Sequence, residues 1–188
     1  MDRAVIETMT ASALSGDYDP IHRMFAVNGL ERPVIHWQPA AAELKLPELV
    51  YLRSFWDQIA DPSAALPDPA RIDPFVLKPA LGNIMLLDVL DEGWDYRYRL
   101  YGSRIAEFAK RDYTGLRTSE LQAGPWISMF YIAMYRAVLQ RPVLLYTENV
   151  PPAGVPTTRW HRLILPFGKE GSITRLLVGN VAGHWRKA

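Results

Sequence analysis

Four histidines, a knot of carboxylates and two arginines set among aromatic residues are the side chains of this sequence best suited to chemistry. His161, between Trp160 and Arg162, has the residue type that shuttles protons or ligates metals near neutral pH. His22, His36 and His184 stand alone, and nothing supplies the paired spacing of a metal site. His161 therefore reads as a strand residue hydrogen-bonded to its neighbours, and no metal ligands are assigned. Asp88, Asp91, Glu92 and Asp95 form the densest acidic cluster, but they surround a turn signal, where solvation accounts for them. Glu148 is the best single acid. No basic or nucleophilic partner for it is readable, so no catalytic residue is assigned and an enzyme is not expected.

The arginines and aromatics point instead to binding. A guanidinium fork holds a carboxylate through two parallel hydrogen bonds, and Arg99 and Arg162 both lie in strand-like text beside large rings. Tyr98, Arg99, Trp126, Phe130, Trp160 and Arg162 are the candidate ligand-binding residues. Core packing is the competing reading for each ring, because aromatic residues stabilise half-buried sheets. A solvent-facing strand charge is the competing reading for each arginine.

Composition removes several other classes. Without cysteine there is no disulfide framework, thiolate nucleophile or iron–sulfur cluster. Neither GxGxxG nor a Walker-type lysine is present, so no phosphate loop is readable. The net charge of +1 comes from mixed acids and bases, which gives no electrostatic case for nucleic acid or an anionic membrane surface. The most apolar run, IMLL at 84–87, stops at Asp88, far short of the roughly 20 residues of a membrane span. Asp2, Arg3 and Glu7 interrupt the place where a signal peptide needs an apolar stretch. The expectation is a cytoplasmic protein. Its 188 residues, 49% of them hydrophobic, suit one ordinary domain with an extension.

The elements that would position these residues follow from periodicity. Residues 1–46 read as a poorly patterned extension, partly mobile or docked on a partner, with a tail packed on its own domain as the alternative. Pro47 and Glu48 open an amphipathic helix over 47–60, with Leu49, Leu52, Phe55, Trp56 and Ile59 along one stripe. DPS at 61–63 stops it, and a proline-rich linker runs to residue 72. Residues 84–90 read as a buried strand, 91–93 as a turn, and 94–101 as a second strand, so the two form an antiparallel hairpin. Strict alternation would turn Trp94, Tyr96, Tyr98 and Leu100 to one face, and Asp95, Arg97, Arg99 and Tyr101 to the other. Ser103 caps a short helix, and Pro125 opens the longest one, to about Gln140, with Trp126, Phe130, Ala133, Met134 and Ala137 on one face. Three strands follow, over 143–150, 158–167 and 173–182. Helices bunched between an opening hairpin and a closing meander imply an α+β domain at 73–184 with an antiparallel sheet.

That order resembles the PAS fold, and local text sharpens the resemblance. RIDP at 71–74, LGNIMLLDV at 81–89, YRLYGS at 98–103, YTGL at 113–116 and LPFG at 165–168 look like one stand-alone bacterial PAS family, long catalogued as a domain of unknown function. YLRSFW at 51–56 fits its usual beginning. The resemblance covers roughly residues 48–183. It implies five antiparallel strands cupping short helices and one longer helix between the second and third strands. It also implies a sensory or regulatory module that binds a small ligand, a protein partner or both. Haem is disfavoured, since its histidine in such domains usually sits on the long helix, which here has none. Flavin is disfavoured as well, the cysteinyl photochemistry of flavin domains being excluded, and the cofactor is unassigned. With no kinase, cyclase or DNA-binding segment attached, output would pass through a protein partner or a homodimer. The stripe Leu49, Leu52, Phe55, Trp56 and Ile59 is the candidate dimer or partner surface, with packing on its own sheet as the rival. Two alternatives remain: an interaction-only PAS module with a filled core, and a small cone-shaped isomerase or dehydratase.

Overall fold

The computed structural model describes residues 1–60, 64–121, 124–151 and 154–183. In chain order it contains helices α1 (Arg3–Ser15) and α2 (Asp19–Val27), strand β1 (Val34–Trp37) and helix α3 (Pro47–Ile59). There follow strands β2 (Ile84–Leu90) and β3 (Asp95–Tyr101), helices α4 (Ser103–Ala109) and α5 (Pro125–Gln140), and strands β4 (Leu145–Asn149), β5 (Trp160–Lys169) and β6 (Ser172–Ala182). The strands form one antiparallel sheet in the order β1-β4-β5-β6-β2-β3. The expected α+β architecture with an antiparallel sheet is present, with six strands rather than five. The sixth is β1, which pairs with β4 and covers what would otherwise be an open edge of backbone donors and acceptors. The expected helix stop at 61–63 and the expected domain end at His184 lie outside the described residues.

Each face of the sheet has its own core. On the inner face, α5 packs with Met85, Leu87, Tyr96, Tyr98, Leu145, Ile164, Leu176 and Val178. A single apolar face is expected on α5, yet residues all around it are buried, from Ile127 to Val138. The cause lies in residues 1–46, expected either as a partly mobile or partner-docked extension or as a tail packed on its own domain. Ile6, Met9 and Ala13 of α1 join the inner core beside α5, and Phe25 of α2 meets Phe130 and Trp126 edge-on at 4.9 and 5.2 Å. A helix apolar all round needs cover on every side, and α1 and α2 supply the side that the sheet cannot.

The outer face is covered by α3. Leu49, Leu52 and Phe55 are buried against Leu163, Leu165, Leu177 and Val181, with Trp56 and Ile59 packed alongside. Gly179 permits this close approach, because a Cβ there would lie 2.5 Å from Leu52 and 2.7 Å from Leu49. Trp56 also donates its indole N–H to the Pro166 carbonyl at 3.0 Å. The stripe expected as a dimer or partner surface is thus already committed to the chain's own sheet.

The hairpin departs from strict alternation. Leu86 faces Leu100 but Leu87 faces Tyr98, so the register shifts by one residue. A bulge of this kind exchanges the faces of everything beyond it. Leu100 therefore turns toward the outer core, while Tyr101 turns inward and meets Tyr98 edge-on at 5.1 Å. Both are reversed from the expectation.

Candidate functional site

Polar residues are the anomaly of the inner core. On β4, Leu145 faces inward, so Thr147 and Asn149 do as well; on β5, Trp160 and Ile164 carry Arg162 to the same side; on β6, Val178 carries Asn180. The ladder aligns them: Thr147 is opposite Arg162, Arg162 is opposite Asn180, and Asn149 is opposite Trp160. Directly opposed side chains start about 4.5–5.5 Å apart at Cβ, so Thr147, Arg162 and Asn180 form one polar row across three strands, with Asn149 two positions further along β4. All four polar members are buried. Thr147 Oγ1, Asn149 Oδ1, Arg162 Nε and Asn180 Oδ1 have no protein hydrogen-bond partner among the described residues. Each such atom costs about 1–3 kcal/mol when left unpaired, and four together would consume much of an ordinary domain's 5–15 kcal/mol.

Tyrosines roof the row. Tyr131 and Tyr135 are one helical turn apart on α5, on the same side of the helix. The Arg162 guanidinium carbon lies 3.6 Å from the Tyr131 ring centre, a cation–π stack. Tyr135 also keeps its hydroxyl unpaired. Burial pushes the Tyr135 phenol up to about 12, with Arg162 pulling the other way. Burial likewise raises Tyr98 and Tyr101, again against Arg162. These phenols stay protonated and able to donate. For Arg162, burial opposes the charge but the surrounding tyrosines raise its pKa overall, so the group stays cationic. Phenols, amides and one guanidinium thus form a buried polar cluster between α5 and the sheet, the cup.

Of the six expected ligand residues, the cup gathers Tyr98, Trp160 and Arg162. Trp160 packs edge-on against Phe108 at 5.7 Å. Trp126 and Phe130 instead hold α2 through Phe25. Arg99 is on the outer face, where its Nε meets both Asp88 oxygens at 3.1 Å, and Arg175 reaches Asp88 at 3.2 Å. Asp88 is therefore an ion-pair centre, not a solvated turn residue. Asp95 is not solvated either: it is buried and accepts from Ser119 Oγ at 2.6 Å and from Ser119 N at 3.1 Å. The residues missed were Thr147, Asn149 and Asn180. Their signal was present, as polar residues at inward positions of otherwise apolar strands.

A second constellation lies on the outer face. Glu148 and His161 are cross-strand partners, and the Tyr146 hydroxyl joins them, 2.8 Å from Glu148 Oε1 and 2.8 Å from His161 Nδ1. Glu148 thus has the basic neighbour that reading along the chain did not reveal. With Tyr146 donating to Glu148, the Nδ1–H of His161 donates to Tyr146. Burial lowers the His161 pKa, Glu148 opposes this, and Arg159 and Lys45 add to the lowering. Glu43, Lys45, Leu46 and Arg159 complete an open cleft of about 480 Å³ around the trio.

A protein-family model described as a PAS domain matches residues 44–180, well over half of the chain. The chain belongs to the PAS domain family. It is accordingly a PAS-type sensory or interaction module, and the cup is the interior of its PAS domain. No curated protein and no solved structure matches it significantly. The matched span starts after α1, α2 and β1, so the helices that roof α5 and the strand that closes the sheet lie outside the PAS match. No helix among the described residues is long and apolar enough to cross a membrane.

Proposed function

We propose that this PAS domain is a sensory module that binds a small polar molecule in the cup between α5 and the sheet, and reports occupancy to a protein partner. One observation carries the reading: the unpartnered polar row Thr147, Asn149, Arg162 and Asn180 on a face otherwise packed with apolar side chains. A core evolved only for stability replaces such groups with hydrocarbon, since unpaired buried polar atoms destabilise. A ligand that pairs with them removes that cost on binding. Tyr131 and Tyr135 sit on α5, and α5 is in turn packed against α1, so a ligand that shifts the two tyrosines bears directly on the outermost helix layer. Occupancy would then shift a pre-existing equilibrium between helix positions.

Native mass spectrometry of freshly purified protein tests this, combined with release of anything bound under denaturing conditions. A stoichiometric small molecule is expected. A population entirely at the bare chain mass, with no thermal stabilisation across a broad metabolite screen, would leave the interaction-only module with a filled core as the better account.

A further inference from the structure

Resting on that reading of the cup, we infer that its ligand is a small monocarboxylate, with the carboxylate against Arg162 and hydrogen-bonding substituents toward Thr147, Asn149 and Asn180. Arg162 is only 3% exposed. The groups acting on its charge are tyrosines, and no carboxylate among the described residues pairs with it. Burying an unpaired ion of this size is strongly unfavourable even after relaxation. The stack on Tyr131 offsets part of that cost. The remainder calls for an anion that the described residues do not supply.

The number of charges follows from the rest of the interior. Among the described residues, Arg162 and Asp95 are the buried charged ones, and Asp95 is held by Ser119, with Arg117 3.7 Å away. One guanidinium is therefore available in the cup, and it neutralises one negative charge. A dianion would leave its second charge facing buried tyrosine hydroxyls and amides, without a cation. A planar carboxylate matches the guanidinium fork, and the free Nε is one of the donors that fork would use. Asn149 Oδ1 and Asn180 Oδ1 are acceptors, so the body of the ligand should bring a donor such as a hydroxyl group.

Thermal unfolding at constant ionic strength, with chloride replaced stepwise by formate, acetate or lactate, reads the anion directly; acetamide and lactamide serve as neutral counterparts. The expected result is a midpoint that rises with the carboxylates, most with lactate, and stays put with the amides. Arg162→Met should lose the rise, which corresponds to an affinity loss of roughly 10- to 100-fold for one charge-assisted contact. Arg162→Lys, keeping the charge without the fork, should retain a reduced rise. Without ligand, the midpoint of Arg162→Met should be no lower than that of the wild type, because an apolar residue there relieves a buried charge. A ligand-free midpoint far below wild type would make Arg162 a structural residue and overturn the inference. Equal responses to carboxylates and amides, or an unchanged response in Arg162→Met, would also overturn it. A neutral molecule retained by the purified protein would overturn the charge assignment while leaving the cup as a binding site. If no molecule is retained, and neither carboxylates nor a broad metabolite screen shifts the midpoint, both readings fall.

Discussion

Neighbouring residues on β5 lead opposite lives: Arg162 points into the cup and His161 into the outer cleft, because successive strand residues face opposite sides of a sheet. The His161 environment sets a pH dependence. The groups facing it are Glu148 and Tyr146 on β4, Arg159 beside it in the chain, and Lys45 with Glu43 across the cleft. Burial, aided by the two cations, keeps the folded-state pKa below the value of about 6.5 that histidine has in an unfolded chain. The folded chain then binds this proton less readily than the unfolded one. The stability owed to neutral His161 is therefore complete above about pH 6.5, and is lost as pH falls through the depressed folded value. Urea denaturation of wild type and His161→Gln should show the wild type losing more stability between pH 7.5 and pH 5. Equal losses in both proteins would assign the acid sensitivity to other groups. The same alternation explains why Arg99 lies outside the cup. Tyr98 and Arg99 are adjacent, so only one could enter the cup.

At the scale of elements, α2 shows how strongly tertiary need overrides a weak local pattern. The segment around it is full of turn-formers, yet Phe25 is fully buried between Trp126 and Phe130. Phe25→Ala should cost about 3–5 kcal/mol, as for other buried rings. A midpoint loss of roughly 2–4 °C per kcal/mol is expected for a chain of this size. A loss under about 2 °C by differential scanning calorimetry would mean that α2 is not part of the folding unit. The β2–β3 turn shows the opposite case, where local text determines structure. Asp91, Glu92 and Gly93 all take positive φ, and at Gly93 a side chain would also collide with Leu139 at 2.6 Å. The DEG sequence announced a turn, but the bulge at Leu86/Leu87 had no signature, because it arises from pairing between strands.

The whole molecule is three layers deep: α1, α2 and α5, then the sheet, then α3. The family match begins at residue 44, but the inner core begins with Ile6. If the packing governs, the chain unfolds as one unit. Hydrogen exchange should then protect amides of α1 and β6 with similar opening free energies, since both belong to the same core. Exchange from α1 several kcal/mol easier than from β6 would separate an independent extension from the PAS domain. This bears on function, because an extension that detaches could carry the signal, whereas one locked in place must transmit it through α5.

The sequence by itself determined the α+β class, the hairpin, α3, α5 and the closing meander, because apolar period and turn residues act over a few neighbouring positions. RIDP, YRLYGS and LPFG also carried the family. What only the tertiary structure decided is which side of each element faces what. The α3 stripe went to the chain's own sheet because Gly179 lets it approach, and the bulge reversed Leu100 and Tyr101. The members of the cup carried a signal along the chain, but their grouping did not. Thr147, Arg162 and Asn180 each look like isolated polar residues, and become a site only when register sets them side by side. Register depends on pairing across long separations, which no local pattern encodes.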